Sequence, residues 1–199
     1  MSRTRYIAQA GVIAAVYAAL TFSLAQIGGV FFWGPLQLRP SEAVTVLAAL
    51  TPAAIPGLWL GAAVANFSTV AQVGAVGVLD VAFGSLGSLL GAIWTWRLRR
   101  RVGVALLGPV VCNALIVPAY LPFLLRAYGA LPAAYRFAGI DASRGYAAMY
   151  LFGVVTIGVA EAIVVYGLGL PLLLALRRLG VPRPPAEAAE GDGGGGGHA

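Results

Sequence analysis

The chain contains no lysine. Without one, a G-x-x-x-x-G-K-[ST] phosphate loop cannot be built, so any nucleotide-driven work falls to another chain. Its one cysteine, Cys112, lies in an apolar run, which excludes an intramolecular disulfide. Its one histidine, His198, has no neighbouring ligand with which to hold a metal. No HExxH, CxxC or GxSxG occurs, so the usual handles of metal and nucleophilic hydrolases are missing. Charge is scarce as well. Only 10% of residues are charged, against about 25% in a soluble domain, too few to cover a surface facing water. With 60% hydrophobic residues and a mean hydropathy of +0.87, the chain's solvent is lipid.

The net charge is +6, and all 13 basic residues are arginine. In a soluble protein this balance would suggest nucleic acid. Here no folded basic surface supports nucleic-acid binding, and the arginines read as flanks of membrane helices. Apolar runs fall at 6–33, 43–71, 73–96, 102–125 and 147–176. Pro52 and Pro56 interrupt the second run, because proline removes a backbone donor and breaks a helix interior. The arginines decide the count. With six spans and an inward N-terminus, nine arginines (Arg3, Arg5, Arg97, Arg99, Arg100, Arg101, Arg177, Arg178, Arg183) lie inside and four (Arg39, Arg126, Arg136, Arg144) outside. Five spans would split the basic clusters, so the positive-inside bias favours six. The predicted spans are 6–27, 42–51, 55–71, 78–97, 103–126 and 147–177. The expected fold is all-α: a bundle of six transmembrane helices with both termini cytoplasmic, over residues 1–180. The basic-then-apolar start reads as a retained first helix rather than a cleaved signal, since its apolar run is long and no clean cleavage site follows. The tail over 181–199, rich in proline and glycine, is expected to be disordered.

Polar side chains at membrane depth are costly and usually face a cavity or a partner. The candidates are Glu42, Asn66, Asp80, Asn113 and Glu161, joined by Gln37 and Arg39 in the polar stretch "QLRPSE" between the first two spans. Together they are expected to line one pocket open to the outside. Structural roles compete with this. Asn113 would equally satisfy a carbonyl between helices, and Asp80, Ser41 and Glu42 suit the first turn of a helix. The aromatics Phe31, Phe32, Trp33, Trp59, Phe67 and Tyr120 stand nearby in sequence. Carboxylates, amides and aromatic faces suit a flat heterocycle that donates hydrogen bonds. Small residues recur every four positions at Ala10, Ala14 and Ala18, and again at Ala15 and Ala19. That spacing lets another helix approach closely, either a partner's or one of the chain's own. Gly84, Gly87 and Gly91 form a second small face, read as internal packing.

The segments "AQAGVIAAVYAALT" (9–21), "LQLRPSEAVTVL" (36–47), "PAAIPGLWLGAAVANF" (52–67), "DVAFGSLGSLLGA" (80–92) and "CNALIVPAYL" (112–121) resemble the queuosine-precursor transporter family (QueT). The resemblance covers about residues 5–178. It implies a substrate-binding subunit, or S component, of an energy-coupling factor transporter in the cell membrane. Such a subunit is no enzyme and needs no cofactor. It presents a small-residue face on its first helix (here Ala10, Ala14 and Ala18) to a transmembrane coupling protein that carries two ATPase subunits. The implied substrate is a queuosine precursor, a 7-deazaguanine base. Gln37 and Arg39 would bind the base or lock a lid, Glu42 and Glu161 would accept from its guanidine-like edge or pair with its amine, and Asp80, Asn66 and Asn113 would complete the polar shell. Three alternatives stand beside it: an S component for another vitamin, an intramembrane enzyme using Glu161, Asp80 and Glu42 as acid and base, and a scaffold without a small-molecule ligand.

Overall fold

The computed structural model describes residues 2–28, 38–131, 133–137 and 139–180. Its elements are α1 (Arg3–Gly28), a 3-10 helix (Pro40–Ala49), α2 (Ala54–Val73), a π-turn (Asp80–Gly84) leading into α3 (Ser85–Arg97), a short α4 (Val102–Ala105), α5 (Leu107–Ala127), α6 (Tyr146–Val164), a second π-turn (Val165–Gly169) and α7 (Leu170–Arg178). A two-residue hairpin, β1 (Arg136–Phe137) and β2 (Ile140–Asp141), interrupts the loop before α6. Among the described residues, four helical stretches are long and apolar enough to cross a membrane: Arg3–Ser23, Ala54–Gly77, Val102–Ala127 and Tyr146–Arg178. The 3-10 helix and the Asp80–Arg97 segment lie between them and are shorter. Pro52 and Pro56 divide the second apolar run as the sequence predicts, and Pro40 opens its first part.

Glycine sets the distances between helices. A β-carbon on Gly57 would stand 2.8 Å from the carbonyl oxygen of Ala10, and one on Gly61 would stand 2.8 Å from that of Ala14. α1 and α2 therefore pack backbone to backbone, and in parallel, since both contacts advance together along the two helices. The other neighbours are antiparallel. Gly91 of α3 meets Pro109 of α5, and Gly153 of α6 meets Pro118 of α5. The second small face, Gly84, Gly87 and Gly91, is thus used inside the chain.

The same contacts correct the reading of Ala10, Ala14 and Ala18. Ala10 and Ala18 are buried, and Ala10 and Ala14 lie against the glycines of α2. A stripe that admits a close helix is consumed by whichever helix arrives first, and here α2 takes it. Among the α1 residues of described burial, the alanines and glycine that stay exposed are Ala8, Gly11, Ala15 and Ala19.

The 3-10 helix is unusual for its ten residues, since such runs seldom exceed three or four. Eight of the ten are buried, so packing holds a geometry that hydrogen bonding alone would not. Its Val46 fills the space that a side chain at Gly169 would take, at 2.6 Å from the position of a β-carbon there. In α5, Pro118 and Pro122 remove two donors from the helix interior. Tyr146 and Tyr150 of α6 donate to the carbonyls of Ala119 (2.6 Å) and Leu115 (3.2 Å), which ties α6 to this part of α5.

The hairpin outside the bundle gives a pH prediction. The hydroxyl and amide of Ser143, then Arg136 at 3.2 Å, hold the Asp141 carboxyl below its ordinary range. A depressed folded value means that the stabilisation is present above about pH 4, the unfolded value, and is lost as pH falls through the folded one. Protection of the Ala142 amide, which donates to the Tyr135 carbonyl at 3.0 Å, is expected to fall over that acid range in hydrogen exchange. Asp141→Asn should remove the pH dependence.

Candidate polar site in the bundle

The five polar residues predicted within the spans are all buried: Glu42 2% exposed, Asn66 6%, Asp80 2%, Asn113 5% and Glu161 4%. They form two joined groups. In the first, Tyr17 of α1 donates its hydroxyl to Oε1 of Glu42, and Asn113 of α5 donates Nδ2 to Oε1 of Glu161 at 3.0 Å. In the second, Asp80 is the hub. Thr69 of α2 donates to its Oδ2 at 2.8 Å, Tyr120 of α5 donates to its Oδ1 at 2.8 Å, and Asn66 donates to its backbone carbonyl at 3.0 Å.

Local structure explains the convergence. Asn66 and Thr69 are three residues apart and so share one face of α2. The π-turn at Asp80 inserts an extra residue into the helix, a device that recurs at functional sites. Gly84 ends that turn, and a β-carbon there would stand 2.6 Å from Asn66 Nδ2, 2.9 Å from Asp80 Oδ1 and 2.9 Å from Tyr120 Oη. Gly87, one turn on, leaves the room that Asn113 occupies: its β-carbon would stand 2.6 Å from Asn113 Oδ1.

Arg39 precedes the 3-10 helix, and its charge is felt by both groups, at Tyr17 and Glu42 in the first and at Asp80 and Tyr120 in the second. Not every polar atom here is used. Arg39 Nε, Ser41 Oγ and Glu42 Oε2 are buried and have no hydrogen-bond partner among the described residues. Buried polar atoms are paired in all but a few cases, so three orphans in one four-residue stretch call for a missing partner.

Sequence reasoning named Arg39, Glu42, Asn66, Asp80, Asn113 and Glu161, and the structure brings these six together. Gln37 lies outside the described residues, as do Phe31, Phe32, Trp33 and the 181–199 tail with His198. Trp59 and Phe67 point away from the cluster, 43% and 64% exposed. Tyr120 joins it through its hydroxyl rather than as an interfacial ring. Tyr17 and Thr69 were not singled out from the sequence. The signal for Tyr17 was a lone hydroxyl-bearing ring within "AAVYAAL", and for Thr69 its spacing from Asn66. An apolar groove of about 400 Å³ lined by Val76, Leu79, Phe123, Arg126 and Ala127 contains none of the cluster residues.

Long apolar helices with a polar cluster enclosed between them define a multi-pass membrane protein whose chemistry lies inside the bundle. The chain belongs to the QueT transporter family: a model of that family, described as QueT transporter, matches residues 7–178. Searches of curated proteins and of solved structures return no match to the chain.

Proposed function

We propose that this protein is the substrate-binding S component of an energy-coupling factor transporter and that it binds a queuosine precursor, a 7-deazaguanine base. The carrying observation is the trio of unpartnered buried atoms on Arg39, Ser41 and Glu42, set among groups that are otherwise satisfied. Membership of a transporter family makes a transported ligand the fitting partner for these atoms. The acidic excess of the cluster (Glu42, Glu161 and Asp80 against Arg39) suits a ligand rich in N–H donors.

Six passes with both termini in the cytoplasm fit the helix directions. Arg3, Arg5, Arg97, Arg99, Arg100, Arg101, Arg177 and Arg178 then gather at one end of the bundle, with Arg39, Arg126, Arg136 and Arg144 at the other. In this reading the second, sparsely basic end faces outward and the cluster opens toward it. Energy comes from elsewhere, because a chain without lysine carries no phosphate loop. The partners are a transmembrane coupling protein with two ATPase subunits. The docking face on α1 is the exposed row Ala8, Gly11, Ala15 and Ala19, with the Ala10 row kept for α2.

Calorimetry on the purified protein tests the substrate. A 7-deazaguanine precursor is expected to bind saturably, while thiamine, riboflavin and biotin do not. Binding of a vitamin with no response to any deazaguanine would keep the S-component reading and reject the substrate.

A further inference from the structure

The unpartnered atoms are not interchangeable, and their chemistry limits what fills them. The guanidinium Nε of Arg39 can only donate. An ionised Glu42 can only accept, and its Oε1 already receives the Tyr17 hydroxyl, which leaves Oε2. Ser41 can do either. Asp80 spends both carboxylate oxygens, on Thr69 and Tyr120, and Glu161 spends Oε1 on Asn113. Among the described residues of the cluster, the buried atoms without a hydrogen-bond partner all lie on residues 39–42.

One hydrogen-bonded turn joins that capacity. Arg39, in extended backbone just before the 3-10 helix, accepts the Glu42 amide at its carbonyl, at 2.9 Å. Thr45 donates to the Glu42 carbonyl at 2.6 Å and fixes the backbone there. Tyr17 fixes the carboxylate. The result is a donor and an acceptor three residues apart, a short polar row on one braced turn.

We infer that this row reads an amide-type edge on the ligand: an acceptor that takes the Arg39 N–H, adjacent to an N–H that is given to Glu42 Oε2. A carboxylate ligand would be repelled by Glu42. A simple amine would satisfy Glu42 and leave Arg39 bare. A lactam meets both, and Ser41 takes whichever bond remains. This inference rests on the reading of the cluster as a ligand site, and it adds which face of the ligand enters first.

The test caps the ligand, so that wild-type protein is used and folding is not in question. 7-Deazaguanine is compared with its N1-methyl derivative, which lacks the donor, and with 7-deaza-6-thioguanine, which keeps the N1–H and has a weakly accepting thiocarbonyl in place of the carbonyl. Each loss is expected to weaken binding at least tenfold. In Glu42→Ala the N1-methyl penalty should shrink to about twofold, and in Arg39→Gln the carbonyl penalty should do the same. Capped and parent ligands binding within twofold of one another would overturn the inference, as would penalties that persist in the variants. If riboflavin binds and the deazapurines do not, the substrate reading fails separately. The edge is then tested with 3-methylriboflavin, whose failure to bind upholds the inference and whose equal binding rejects it. A panel in which no compound binds rejects both.

Discussion

Glu42→Gln is expected to weaken ligand binding about a hundredfold while leaving the protein folded. The glutamate accepts from Tyr17 with one oxygen and holds the other bare. A glutamine can keep its carbonyl toward Tyr17, which turns an N–H₂ toward the ligand where an acceptor is required. If it flips, the Tyr17 hydroxyl loses its acceptor. Either way a charge-assisted bond goes, worth about 1.5–3 kcal/mol, and the upper part of that range is a hundredfold in affinity. The side-chain volume is unchanged, so the thermal midpoint should move little. Calorimetry and a melting curve on the same preparation separate the two effects. Equal affinity in wild type and variant would remove Glu42 from the site; a collapsed melting curve would make it a folding residue. Tyr17→Phe should give a smaller loss of about tenfold, because it frees the carboxylate to turn without removing it.

Much of the architecture was legible because lipid imposes simple rules. Spans must be apolar, and the proline pair at 52 and 56 falls where the second run divides. The predicted 42–51 and 55–71 correspond to observed helices at Pro40–Ala49 and Ala54–Val73, and the predicted 78–97 to Asp80–Arg97. The helix type was not legible. Nothing in "PSEAVTVLAA" signals a ten-residue 3-10 helix, which arises from burial on most sides against α1, α3 and the second π-turn. The π-turns at Asp80 and Val165 are equally silent in sequence.

The site divides along the same line. Ionisable and amide residues stand out in an apolar chain, so Glu42, Asn66, Asp80, Asn113 and Glu161 could be picked by cost alone. Tyrosine and threonine carry little cost in a membrane helix, and Tyr17 and Thr69 passed unnoticed although each holds a carboxylate in place. The alanine stripe shows the reverse error. Spacing reveals that a face can accept a helix but not whose helix it is. Gly57 and Gly61, four residues apart in α2, were the complementary signal. Two small-residue faces in one chain can satisfy each other.

Gly84→Ala sets two effects against each other and shows which wins. Within a helix, alanine is favoured over glycine by about 1 kcal/mol. At Gly84 the added carbon would stand 2.6 Å from Asn66 Nδ2 and 2.9 Å from both Asp80 Oδ1 and Tyr120 Oη. These are the atoms of the Asp80 hub, already fixed by hydrogen bonds and unable to swing aside without breaking them. Overpacking costs about 1–3 kcal/mol, and each buried bond that opens adds about 1–3 kcal/mol. The net expectation is a loss of about 2–3 kcal/mol, together with loss of ligand binding as Asp80 and Tyr120 are displaced. Gly167→Ala is the matched control, since nothing lies within 4 Å of its new carbon, and it should be neutral or stabilising. Paired melting curves in one detergent therefore should move in opposite directions, with Gly84→Ala lower by about 5–10 °C. Equal midpoints would mean that the hub yields to a methyl group, and the tight geometry around Asp80 would lose its part in the site.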